Sequence, residues 1–125
     1  MKRENYPTNG VLILESDKDL ADSIRVFLED FYSVYIIDDP AKIKTYITKY
    51  GIKLLVTDLD MPHTNLLNKL QSIRTSNPGL KIILMYMFLD EDGQKDSSIL
   101  KEADDYIFKP FDADVFRYKV DRLLA

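Results

Sequence analysis

"LLVTDLDMPHTN", residues 54–65, is an apolar run that stops at Asp58, adds a second carboxylate at Asp60 and turns at once on Met61-Pro62. A strand with one wet face alternates polar and apolar residues, so an unbroken apolar run reads as a strand buried on both faces. Its two acids then sit at the edge of a sheet. Reading outward, the hydrophobic period keeps alternating. Upstream, Val11-Leu12-Ile13-Leu14 is a run of the same kind, closed by Glu15-Ser16-Asp17. Leu20, Ile24, Phe27 and Phe31 then recur at helical spacing, with Asp17 or Ser16 as the N-cap.

A second strand follows at Val34-Tyr35-Ile36-Ile37, and Asp38-Asp39-Pro40 opens a helix that Gly51 ends. The central strand covers 52–57. Downstream the spacing predicts a helix over 65–76, a strand over 80–86, a less periodic helix over 93–103 and a short strand at 106–108. Asp112 caps a last helix with Val115, Phe116, Val120 and Leu123 as its inward stripe.

Alternating βα units with continuously apolar strands imply a parallel sheet covered by helices on both faces, an α/β fold. In such sheets ligands sit beyond the carboxyl ends of the strands, where the strand order reverses. The polar residues at those ends are Glu15, Ser16 and Asp17, then Asp58 and Asp60, then Tyr86, then Lys109.

The 125 residues fit one domain, with 1–9 as an N-terminal tail and 10–125 as the folded unit. The chain is 46% apolar and 30% charged, an ordinary globular balance. A net charge of −4 with scattered Lys and Arg gives no footprint for direct nucleic-acid binding. Cysteine is absent, which removes disulfides and thiolate metal sites. No apolar run approaches the roughly 20 residues of a membrane span, and Met1–Gly10 has no signal-peptide core. A cytoplasmic location is the expectation.

Carboxylates converging on one edge repel one another, and a fold keeps such a cluster mainly when a cation compensates it. Glu15, Asp58 and the backbone carbonyl of Asp60 offer a hard, all-oxygen site suited to Mg²⁺, and Lys109 adds a fixed positive charge. With both present, Asp58 can act as a nucleophile toward a phosphoryl donor. A plainer reading stands beside this one. Acids at strand ends also cap helices and form turns, and a Lys before a Pro is often a solvated loop residue.

The segments Glu15-Ser16-Asp17, Asp58-Leu59-Asp60-Met61-Pro62 and Ala103-Asp104-Asp105-Tyr106-Ile107-Phe108-Lys109-Pro110-Phe111 together resemble the receiver domain of two-component response regulators. The resemblance covers roughly residues 10–124. It implies a flavodoxin-like (βα)5 fold with strand order 2-1-3-4-5. It also implies a phosphorelay role, with Asp58 phosphorylated by a histidine kinase or phosphotransfer protein, Lys109 contacting the phosphoryl group and Tyr106 moving as a switch. An output domain or a second copy are the further partners implied. Any enzymatic activity would be confined to phosphorylating and dephosphorylating itself.

Two departures from the family pattern qualify this. Receivers usually carry two adjacent acids after the first strand, and here the second position is Ser16, which can contribute only through a metal-bound water. Weakened Mg²⁺ binding is therefore expected. Tyr86 stands where the family has Thr or Ser, and its length puts the usual coupling to Tyr106 in question. Two further functions remain open at this stage. One is a degenerate receiver serving as a phosphate-independent interaction module, favoured by Ser16 and Tyr86. The other reads Asp58-Leu59-Asp60 as the Asp-x-Asp of a haloacid-dehalogenase-like phosphatase.

Overall fold

A computed structural model describes residues 9–58, 66–87 and 101–125. Strand β1 (Gly10–Leu14) is buried at every position because it lies inside the sheet, flanked by β2 (Ser33–Ile37) and β3 (Ile52–Asp58). With β4 (Lys81–Met87) and β5 (Asp105–Lys109) it forms a five-stranded sheet of order β2-β1-β3-β4-β5, every pair parallel. The chain builds outward from β1 to β2, then crosses back to β3 on the other side. That reversal lies between β1 and β3, where Leu14 is in register with Thr57. Glu15 and Asp58, each one residue further on, therefore leave the sheet side by side.

Helix α1 (Lys18–Leu28) begins as its sequence dictates. The Asp17 carboxylate accepts from the backbone N–H groups of Asp19 and Leu20, at 3.0 and 3.1 Å, satisfying two of the donors a helix start leaves open. Ala21, Ile24 and Leu28 form its buried face. Phe31 is not part of that face, because the helix ends at Leu28; its ring is exposed and stacks under the Arg117 guanidinium, 3.8 Å from the centroid. A 3-10 turn at Pro40–Lys42, with Asp39 accepting from Ala41 N–H, leads into α2 (Ile43–Tyr50). Gly51 closes α2 in the left-handed region at φ 61°, where a Cβ would be strained.

Helices α3 (Leu66–Ser76) and α4 (Ala113–Leu124) complete the described elements, and Asp112 caps α4 as expected. Of the predicted α4 stripe, Phe116 and Val120 are buried, whereas Val115 is exposed. The helix expected over 93–103 falls largely outside the described residues; 101 and 102 form a turn. Residues 1–8 of the expected tail also lie outside them.

Each sheet face carries its own core. One joins Leu12, Leu14 and Leu55 to Ile43 and Ile47 of α2 and to Leu70 and Ile73 of α3. The other joins Val11, Ile13 and Val56 to Ile24 and Leu28 of α1 and to Phe116 and Val120 of α4. Full burial of each Leu or Ile contributes roughly 1.5–3 kcal/mol relative to exposure. Polar struts then fix the last strand. Asp104 Oδ2 accepts from Arg74 Nη2 at 2.9 Å and from Ile82 N–H at 2.8 Å, and Asp105 binds Lys119 and Arg122 of α4 at 3.1 and 2.7 Å. These bonds hold β5 in the position from which Lys109 reaches the site.

Candidate functional site

Lys109 ends β5, with β4 between it and β3. Its side chain spans that gap. The Nζ lies 2.9 Å from Glu15 Oε1 and 3.1 Å from Asp58 Oδ2, so one ammonium bridges the ends of β1 and β3. The side chains of Glu15, Asp58 and Lys109 are 2%, 10% and 14% exposed. Water screens this cluster little, and each charge depends on the others for its solvation.

Burial alone would drive Lys109 toward its neutral form. The hydrogen bonds and attraction of Glu15 and Asp58 outweigh that penalty and hold its pKa above the ordinary lysine value. Lys109 is therefore a fixed cation at neutral pH. Among the described residues the cluster pairs two carboxylates with one ammonium.

Glu15 has a second partner. Its Oε2 accepts from the backbone N–H of Asp17 at 3.0 Å. That N–H was not legible as a site group, since only the turn from β1 into α1 aims it back. Asp17 itself is engaged as the α1 cap through Oδ1, and Ser16 is exposed between the two. Asp60, whose carbonyl the sequence nominated as a metal ligand, lies outside the described residues.

Tyr86 is 7% exposed and stands opposite Phe108 in the β4–β5 register. Its ring meets Phe108 edge-on at 4.8 Å between centroids and lies 6.0 Å from Tyr106, which is 44% exposed. Phe108 was missed as a neighbour of these residues. The signal was available, because residues two apart on a strand share a face, and Tyr106 and Phe108 are two apart. Beside Lys109 a largely apolar recess of about 350 Å³ opens between Leu20 and Phe27 of α1 and Pro110 and Phe111.

Two buried carboxylates bridged by a lysine thus meet at the point where strand order reverses, the place where open parallel sheets take their ligands. Comparison with known proteins points the same way. Residues 11–121 match the model of the response regulator receiver domain. The chain is 32% identical over 116 residues to the sensor histidine kinase TmoS of Ectopseudomonas mendocina, covering 92% of this chain and 12% of that protein. It is 30% identical over 115 residues to the regulatory protein VanRB of Enterococcus faecalis, covering 91% and 51%. The chain thus spans about half of one relative and a small part of the other.

Among solved structures, the signal receiver domain of a response regulator from Bermanella marisrubri superposes with a TM-score of 0.79 at 25% identity, over 93% of this chain and 98% of that one. The receiver domain of the TMAO respiratory system response regulator TorR superposes with a TM-score of 0.81 at 22% identity, over 93% and 96%, a likeness of fold. Sheet order, site position and sequence match converge: the chain belongs to the response regulator receiver domain family, the receivers of phosphorelay signalling.

Proposed function

We propose that Asp58 is the phosphoryl acceptor of this receiver, taking the group from a histidine kinase or phosphotransfer protein. The observation that carries the reading is the Lys109 ammonium held between Glu15 and Asp58. A carboxylate oxygen of Asp58 attacks phosphorus, the bond from phosphorus to the donor breaks, and the donor leaves with its electron pair. Negative charge spreads over the transferred oxygens as this happens, and Lys109 is placed to attract them. Its raised pKa keeps it charged for that role.

Receiver domains generally bind Mg²⁺. The donor set here fits that ion, since Mg²⁺ accepts hard oxygens, takes only one or two carboxylates and keeps several waters. Glu15 and Asp58 would hold it, with the Asp60 carbonyl as a further ligand and Ser16 acting through a water. Bound there, it would neutralise charge on the phosphoryl oxygens. A single acid at position 15, already engaged by Lys109 and by the Asp17 N–H, supports weakened affinity.

The recess beside Lys109 suits an apolar side chain of the donor protein, next to the acceptor it must reach. The proposal extends to a cytoplasmic location and to an output domain as the downstream partner. For the switch, Tyr86 packed against Phe108 occupies space beside Tyr106, and we assign it the role of holding Tyr106 outward.

Intact mass after incubation with acetyl phosphate and Mg²⁺, beside an Asp58→Asn variant, tests the acceptor. The parent gains one phosphoryl group and the variant gains none. No gain in a folded parent would instead favour a phosphate-independent interaction module. In the same sample the Tyr106 ring resonances stay in place on phosphorylation, and a clear shift would refute the role given to Tyr86. The family match lends no support to the phosphatase reading of Asp58 and Asp60.

A further inference from the structure

The chain carries a net charge of −4, yet from Pro40 to Leu89 it holds seven lysines and arginines and only two acids, Asp58 and Asp60. By contrast, Glu15 to Asp39 holds eight acids and two bases. The sequence scatters its lysines along the chain, and the fold gathers part of them on one side.

Helices α2 and α3 pack on the same face of the sheet and share one core. Their outer surfaces adjoin, because Lys44 Nζ on α2 donates to Ser72 Oγ on α3 at 2.8 Å. Lys42, Lys44 and Lys49, at the start of α2 and along it, are exposed, and Lys69 of α3 is half-buried. Lys53 and Lys81 are exposed at the starts of β3 and β4, Lys81 in register with Leu54 of the other core. Among the described residues no carboxylate pairs with Lys42, Lys49, Lys53, Lys69 or Lys81. Arg25, in the acidic stretch, is by contrast bound by both Asp22 and Glu29.

The lysines of α2 stand on a braced support. Ile43 and Ile47 are buried beneath them, and Tyr50 stacks on Tyr35 of β2 at 4.4 Å while Tyr46 meets Tyr35 edge-on at 6.3 Å. On the outer side, Lys44, Thr45, Thr48 and Lys49 line a shallow hollow of about 440 Å³. Ammonium groups and hydroxyls at that spacing are donors for carboxylates.

We propose that the α2–α3 face is a docking surface for a short acidic segment of a partner protein. The proposal is independent of the chemistry at Asp58. Charge complementarity selects the class of occupant, since uncompensated surface lysines attract an anionic partner and speed its encounter. A short segment also fits better than nucleic acid. A long polyanion would run past the lysine face toward the acidic remainder of the molecule, within reach of charges screened only beyond roughly 8 Å at physiological salt. A second copy is a poorer match, because a basic face set against an acidic one is a heterologous contact that does not close on itself.

Titration of a fluorescent glutamate-rich peptide with the full chain at low salt should give saturable binding. The Lys44→Glu/Lys49→Glu pair should weaken it about tenfold or more. The neutral pair Lys44→Gln/Lys49→Gln should weaken it less, and guards against a charge reversal that perturbs the fold. Lys18→Glu, an exposed lysine of α1 on the opposite face of the sheet, should change affinity by less than about twofold. Absence of saturable binding overturns the proposal, as does equal loss in Lys18→Glu. Tighter binding of a duplex oligonucleotide would overturn it in favour of nucleic acid. Self-association of the chain alone, abolished by the lysine variants, would overturn it in favour of a second copy.

Discussion

The two ends of β5 carry ion clusters of inverted composition. At its start, one carboxylate, Asp105, lies between two cations, Lys119 and Arg122. At its end, one cation, Lys109, lies between two carboxylates, Glu15 and Asp58. The first cluster joins a strand to a helix at the surface, with Arg122 half in water. The second joins the tips of three strands, with its side chains nearly dry. Both central groups are held charged against burial: the Tyr106 N–H, with Lys119 and Arg122, lowers the pKa of Asp105, and Glu15 and Asp58 raise that of Lys109. The difference is how much water reaches each. The cations around Asp105 are partly solvated and screened, whereas the carboxylates around Lys109 sit in a nearly dry site where each charge depends on its partners.

The strongest way to break this comparison is Lys109→Met. It removes the ammonium that the buried Glu15 and Asp58 share and should cost about 3–5 kcal/mol in urea unfolding at neutral pH. Added Mg²⁺ should restore part of that loss by binding the folded state. An unchanged urea midpoint would mean that the ammonium does not neutralise the pair. Next in size is Ser16→Asp, which adds a carboxylate beside Glu15 and should tighten Mg²⁺ about tenfold by calorimetric titration, or about 1.4 kcal/mol. Unchanged affinity would place Ser16 outside the metal's reach.

Asp105→Asn should cost less, about 1 kcal/mol or under, because its partners are partly exposed and screened. A loss as large as that of Lys109→Met would erase the distinction between the clusters. The smallest effects come from pH across the neutral range. Lys109 has a raised pKa, so its contribution is full below the ordinary value of 10.5 and disappears as pH rises through the higher folded value. Asp105 has a lowered pKa, so its contribution is full above the ordinary value of 3.8 and disappears as pH falls through the lower folded value. The urea-midpoint gap between parent and each variant should therefore close on the alkaline side for Lys109→Met and on the acid side for Asp105→Asn. Closure on the other side in either case would contradict these assignments.

The parallel sheet and the meeting of Glu15, Asp58 and Lys109 at its edge were legible because both follow from a period that alternates along the chain, whereas the strand order came from the resemblance to receivers. Parallel strands bring their carboxyl ends to one edge whatever the details of packing. Phe31 and Val115 were misread for the opposite reason. Whether a residue near a helix end faces inward depends on the turn at which the helix stops, and several turns fit one pattern. The choice between Asp17 and Ser16 as the α1 cap was open in the sequence. It was decided only by the backbone, which gave the side chain to Asp19 and Leu20 and the Asp17 N–H to Glu15. The clamp on Asp105 joins residues 14 and 17 positions apart, and no local spacing rule predicts such a pair.

The bond from Lys109 to Glu15 joins residues 94 positions apart. The first, third and fifth strands each supply one charge of the cluster, so the site is complete only when strands from the start, the middle and the end of the chain all stand in the sheet. The three side chains therefore act as a seam across the sheet edge, and a change that loosens any one of these strands reaches the other two through it.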